Sequence, residues 1–124
     1  MEPDVYARIG EDGFERLVAS FYRRVRTDDL LAPLYPEEDW AGAEERLRDF
    51  LVGRFGGPPR YVERRGHPRL RMRHAPFPIG VAERNRWFQL MEASLLEAEL
   101  PEEESQFLRG FFSEVATFLV NRPT

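Results

Sequence analysis

Arg65-Gly66-His67-Pro68-Arg69-Leu70-Arg71-Met72-Arg73-His74-Ala75-Pro76-Phe77-Pro78 interrupts a chain otherwise written in helical periods. Glycine and proline open the run and two prolines close it, so no long regular element crosses it. Residues 56 to 80 as a whole hold five prolines and four glycines. That composition predicts a long loop with at most a turn or two of helix around Leu70 to His74. Ordered loops of this length are uncommon in compact domains and tend to carry function. The run also contains both histidines of the chain, His67 and His74.

On either side the pattern is helical. Phe14, Leu17, Val18, Phe21, Tyr22 and Val25 recur at intervals of three and one, which predicts an amphipathic helix from about Glu11 to Arg26. A short turn over Leu30 to Leu34 follows and is closed by Tyr35-Pro36. Trp40, Ala43, Leu47, Phe50 and Leu51 line one face of a helix from about Trp40 to Arg54, and Gly56-Gly57-Pro58-Pro59 stops it. Beyond the loop, Trp87, Phe88, Met91, Leu95 and Leu96 mark a helix from about Val81 to Glu99. Pro101-Glu102-Glu103-Glu104 then starts another, with acids at the positive end of its dipole. Its stripe of Phe107, Leu108, Phe111, Phe112, Val115, Phe118 and Leu119 runs to about Val120. No segment alternates with period two and none repeats, so the fold class is all-α, with four substantial helices and an aromatic interior.

A chain of 124 residues fits one domain, here residues 1–124, because neither side of the proline-rich loop is long enough for its own core. Cysteine is absent, which removes disulfide and thiolate chemistry and points to a reducing cytoplasm. No apolar run reaches a membrane span, and Met1-Glu2-Pro3-Asp4 is acidic rather than signal-like. All 18 cationic residues are arginine. Six of them, Arg60, Arg64, Arg65, Arg69, Arg71 and Arg73, meet one acid, Glu63, within fourteen positions of a chain whose net charge is −4. One basic segment on an acidic protein suggests a local anionic partner rather than general nucleic-acid affinity.

Several chemistries drop out. Two histidines seven apart do not match the close ligand spacings of zinc sites, and no cysteine can complete one. Ser20, Ser94, Ser105 and Ser113 lie in helical patterns with no glycine-flanked elbow. Gly56-Gly57 leads into prolines rather than a helix start, so no phosphate loop is present. His74 remains, with arginines before it and prolines after it. That setting suits an axial ligand to a haem iron and equally a solvated loop histidine. Tyr22 and Trp87 lie on inward stripes and carry donors that need partners when buried, whether a nearby carbonyl or a bound ligand.

Taken together, these residues resemble the group II truncated haemoglobins, a branch of the globin superfamily. The matching strings are Phe21-Tyr22, Leu34-Tyr35-Pro36-Glu37-Glu38-Asp39, Ala41-Gly42-Ala43-Glu44-Glu45-Arg46-Leu47-Arg48, Gly56-Gly57-Pro58 and Arg65 through Phe77, with Trp87 at the family's spacing behind them. The likeness runs from about Tyr6 to Pro123. It implies a truncated globin fold, a two-over-two helical sandwich around haem b with a long proximal loop.

By the same resemblance His74 is the proximal iron ligand, its ring N–H donating to a carbonyl about one turn earlier, near Leu70. Arg46 reaches a haem propionate, with Arg71 and Arg73 as weaker candidates, since the guanidinium fork matches a carboxylate. Tyr22, Tyr35 and Trp87 supply the distal donors to a diatomic ligand. Leu47 and Phe50 wall the site, and Tyr61 and Met72 complete the cofactor contacts. Ala43 stands where many globins place a distal histidine. Trp40 departs from the smaller aliphatic residue expected there and either packs over the distal entrance or covers the helix start, the second reading being preferred. His67 is assigned to solvent or a propionate edge.

The implied function is reversible dioxygen binding at ferrous haem, with release slowed by the distal donors. Nitric oxide dioxygenation or peroxide reduction is compatible with it and needs a reductase partner. The competing reading is a haem-free all-α module that binds acidic partners through Arg60 to Arg73.

Overall fold

The apolar stripes become helices in the computed structural model, which describes residues 4–123. Helix α1 spans Val5–Val25, with the Asp4 carboxylate accepting from the Ala7 amide at 3.2 Å. It starts six residues before the expected Glu11, but Gly10 breaks it at φ 68°, a backbone setting that favours glycine. The extra turn is thus a separate piece, held because Val5 is buried and Tyr6 stacks on Phe14. Helix α2 spans Trp40–Arg54, α5 Val81–Ala98 and α6 Glu102–Phe118.

The loop between α2 and α5 holds more helix than its composition predicts. Besides α4, Leu70–His74, it contains α3, Arg60–Arg65. Six residues show too little periodicity to be recognised, and tertiary ion pairs hold this helix in place. Asp49 of α2, 4 % exposed, lies 3.2 Å from Arg64 and 3.6 Å from Arg60, and Glu11 also pairs with Arg60.

Helix α1 packs on α2 and on α5, and α5 packs on α6. The three residues between α5 and α6 force these two helices into a hairpin, with Glu99 in the left-handed region at φ 52°. The result is the two-over-two arrangement. Its core joins Phe14, Leu17, Val18 and Phe21 of α1 to Met91 and Leu95 of α5 and to Leu108 and Phe112 of α6. Gly57 permits the close approach of the α2 end to the chain start, since a Cβ there would stand 2.6 Å from Tyr6 and Val52.

Two inward assignments and one outward assignment change. Leu96 is 80 % exposed, and Phe118 is mostly exposed beneath the Arg71 guanidinium. Both lie near the C-terminal ends of their helices. Glu104, placed by the sequence among dipole-facing surface acids, is 1 % exposed, with Arg8 at 3.8 Å. Among the described residues no helix is long and apolar enough to cross a membrane.

Candidate functional site

The helices do not close on one another completely. They leave a cavity of about 540 Å³, within the range of small-molecule and cofactor pockets. Leu47, Phe50 and Leu51 of α2, Phe111, Phe112 and Val115 of α6, and Leu70, Phe77 and Ile79 of the loop make its walls apolar. Nine residues expected at the site line it: Tyr22, Tyr35, Arg46, Leu47, Phe50, Tyr61, Arg73, His74 and Trp87. Residues from six helices and two loops therefore meet at one place.

His74 is the last residue of α4, and its Nδ1 lies 2.7 Å from the Leu70 carbonyl oxygen. A carbonyl only accepts, so Nδ1 carries the proton and Nε2 keeps the free lone pair. A five-residue helix is too short to persist alone, and side chains brace this one. Arg73 donates from Nε to Pro68 O at 2.7 Å and from Nη2 to Arg65 O at 2.9 Å. Downstream, Asn121 bonds the loop that follows His74.

Tyr22, Tyr35 and Trp87 come together although they are far apart in sequence. The Tyr22 and Tyr35 rings meet edge-on at 5.8 Å, while Trp87 packs against Phe21 and Phe112. Burial pushes the Tyr22 phenol well above the ordinary value of 10.0, and the neighbouring Tyr35 adds to the effect. Burial also raises Tyr35, but hydrogen bonding from Tyr22 and Trp87 works against the rise. Tyr22, Tyr35 and Trp87 all line the same cavity. Tyr35 itself is carried on the turn after α1, which Asp28 ties to α5 through Arg86 at 2.7 Å.

Trp40 does more than cover the start of α2. Its ring stacks on Tyr35 at 5.1 Å and meets Tyr22 at 6.3 Å, with the Arg26 guanidinium 5.6 Å from its centre. It buttresses both tyrosines.

Two expected cofactor contacts lie elsewhere. Met72 is 59 % exposed and Arg71 lies over the Phe118 ring at 5.2 Å. Neither lines the cavity, because on the single turn of α4 the face toward it is taken by Leu70, Arg73 and His74. His67 is exposed and accepts from the Arg69 amide at 3.0 Å. Arg46 lines the cavity while pairing with Asp39 at 2.9 Å. Sequence reasoning missed Arg65 and Arg84, which also line it. Arg84 joins α5 to α6 through Ser113 and Thr117, and only a predicted α5–α6 contact could have flagged it. The basic segment is not a free stripe, since Arg60 and Arg64 pair with acids and Arg73 with carbonyls.

Among the described residues no group of three histidines or acids could hold a bare metal ion. A single imidazole suffices when a macrocycle supplies the other ligands, and an apolar cavity with arginines among its lining residues suits a flat ring bearing carboxylates. The residues present thus fit haem, and an all-helical two-over-two fold around such a pocket defines a protein of the globin class.

A sequence model of the bacterial-like globins matches residues 4–121, and the chain belongs to that family. It is similar to the group 2 truncated hemoglobin YjbI of Bacillus subtilis, with 38 % identity over 117 residues, covering 94 % of this chain and 88 % of that protein. Its fold is similar to that of a hemoglobin from the thermophilic phototroph Chloroflexus aurantiacus, at a TM-score of 0.92 and 48 % identity, covering 98 % and 100 % of the two chains. A thermostable hemoglobin from the actinobacterium Thermobifida fusca matches at 0.93 and 48 %, covering 97 % and 98 %. With membership come haem b as the cofactor and dioxygen and other diatomic gases as its ligands.

Proposed function

We propose that the whole chain, 1–124, acts as one globin domain in the cytoplasm and holds dioxygen tightly through Tyr22, Tyr35 and Trp87. The observation that carries this reading is that Tyr22, Tyr35 and Trp87 line the same cavity as His74. Haem supplies a ferrous iron that accepts one ligand from the protein and one diatomic gas. His74 offers Nε2 to that iron, its ring held by the bond to Leu70. Arg46 and Arg73 serve the propionates, as does Arg65, which has no acidic partner among the described residues. Leu47, Phe50 and Tyr61 exclude water from the ring faces.

Tyr22, Tyr35 and Trp87 present hydroxyl and indole donors to the gas. In a dry pocket such donors slow release strongly, which suits chemistry on the captured gas better than its delivery. A solved structure of the Bacillus subtilis relative describes that protein as oxygen-avid. Nitric oxide dioxygenation or peroxide reduction, supported by a reductase, is the corresponding activity. Ala43 places no imidazole in the cavity from α2, so the three aromatic residues supply the distal donors.

Reconstitution with hemin tests the binding site, and stopped-flow measurement of dioxygen loss with and without nitric oxide tests the activity. A strong Soret band, slow release and nitrate formation are expected. Absence of a Soret band would overturn the whole reading, and fast release without nitrate would overturn its avid, catalytic part. The haem-free module that binds acidic partners through Arg60 to Arg73 loses ground because three of those arginines are engaged inside the protein.

A further inference from the structure

The chain beyond α6 turns back onto the loop that leaves His74. Asn121 uses every polar atom of its amide there. Its Oδ1 accepts from the Ile79 amide at 2.9 Å, and its Nδ2 donates to Phe77 O at 2.9 Å and to His74 O at 3.3 Å. Its own amide and that of Arg122 both donate to Ile79 O, at 2.8 and 3.1 Å. An amide N–H facing one end and two carbonyls facing the other fix which end is oxygen.

This loop needs such help. Pro76 and Pro78 remove two of its N–H groups, and α4 is a single turn braced upstream by Arg73. Within the loop, the His74 carbonyl is bonded only by the Phe77 amide, at 2.9 Å. Asn121, 47 residues further along the chain, closes the other end.

We propose that Asn121 is the positioning residue of the proximal side: by clamping the backbone at His74, Phe77 and Ile79 it sets the orientation of the His74 ring and so the strength of its bond to the iron. This rests on the reading of His74 as the iron ligand. The amide is suited to the task because it offers one acceptor and two donors in a plane. A carboxylate of the same shape would keep the bond from Ile79 and set negative charge against two carbonyls.

The test compares wild-type, Asn121→Ala and Asn121→Asp proteins loaded with haem. The ferrous iron–histidine stretching band and the rate of hemin transfer to an excess of apomyoglobin are measured, with thermal unfolding as a control. The expected result is a band shifted or broadened in both variants and hemin loss faster by about tenfold, as two hydrogen bonds of ordinary strength imply. A band unchanged in position and width, with only the unfolding temperature lowered, would overturn the proposal and leave Asn121 a purely structural tie. If the wild-type protein itself showed no iron–histidine band, the assignment of His74 would fail instead. Should Asn121→Ala not fold, Asn121→Asp supplies the same comparison.

Discussion

The imidazole Nδ1 of His74 stands 2.7 Å from the carbonyl oxygen of Leu70, one helical turn before it. The bond commits the proton to Nδ1, leaves Nε2 as the only ring atom able to bind a metal, and fixes the orientation of the ring.

Replacing His74 by glycine removes that ligand while leaving the apolar walls intact. Haem is expected to enter the cavity still, but with its Soret band displaced, and added imidazole is expected to restore the wild-type band. A His74→Gly spectrum identical to wild type would place the iron ligand elsewhere.

Trp87 is expected to act on the captured gas from the side of α5. Losing a buried hydrogen bond to a partly charged acceptor costs roughly 1.5 to 3 kcal/mol, so Trp87→Phe is expected to speed dioxygen dissociation at least tenfold. Laser photolysis or stopped flow reads the rate directly. Tyr35→Phe tests the same set of donors and is expected to raise the rate as well, because it removes one hydroxyl from the cavity.

Both phenols titrate above their ordinary value of 10.0 in the folded protein, chiefly through burial. The unfolded chain therefore loses these protons first as pH rises, and above about pH 10 folding stability falls with pH. Urea unfolding from pH 8 to 11 is expected to show a level region followed by this decline. Tyr22→Phe should flatten the decline, and an unchanged slope would exclude Tyr22 as its source.

Glu97 shows the opposite sign on the outer face of α5. A hydrogen bond from Ser20 and then the Arg24 guanidinium, with Arg23 beside it, hold its carboxyl down to about 2. The tie between α5 and α1 is complete above the ordinary carboxylate value of 4.5 and is lost as pH falls through about 2. Acid unfolding of Glu97→Gln is expected to be shallower in this window than that of wild type.

Much of the fold was legible because its helices are long. Phe14 through Val25 and Phe107 through Phe112 repeat with the helical period, and both stripes are largely buried. The segments that escaped were short or held from a distance. Helix α3 depends on Asp49 for its ion pairs, and the turn Val5–Ile9 depends on packing across the Gly10 break. Local propensity carries no record of either. The site divides in the same way, since Tyr22, Tyr35, Arg46, Trp87 and His74 were named from their strings and all line the cavity. Met72 and Arg71 were named from the same resemblance but fall on the side of α4 away from the cavity.

The sequence alone determined the all-α class, the proline-bounded break and a single histidine poised beside it, because period and punctuation are local properties of a chain. Only the tertiary structure decided which groups meet: that Tyr22, Tyr35 and Trp87 line one cavity with His74, that Trp40 supports the two tyrosines, and that Asn121 closes the His74 loop. These are contacts between segments distant in the chain, and their geometry is set by how whole helices pack.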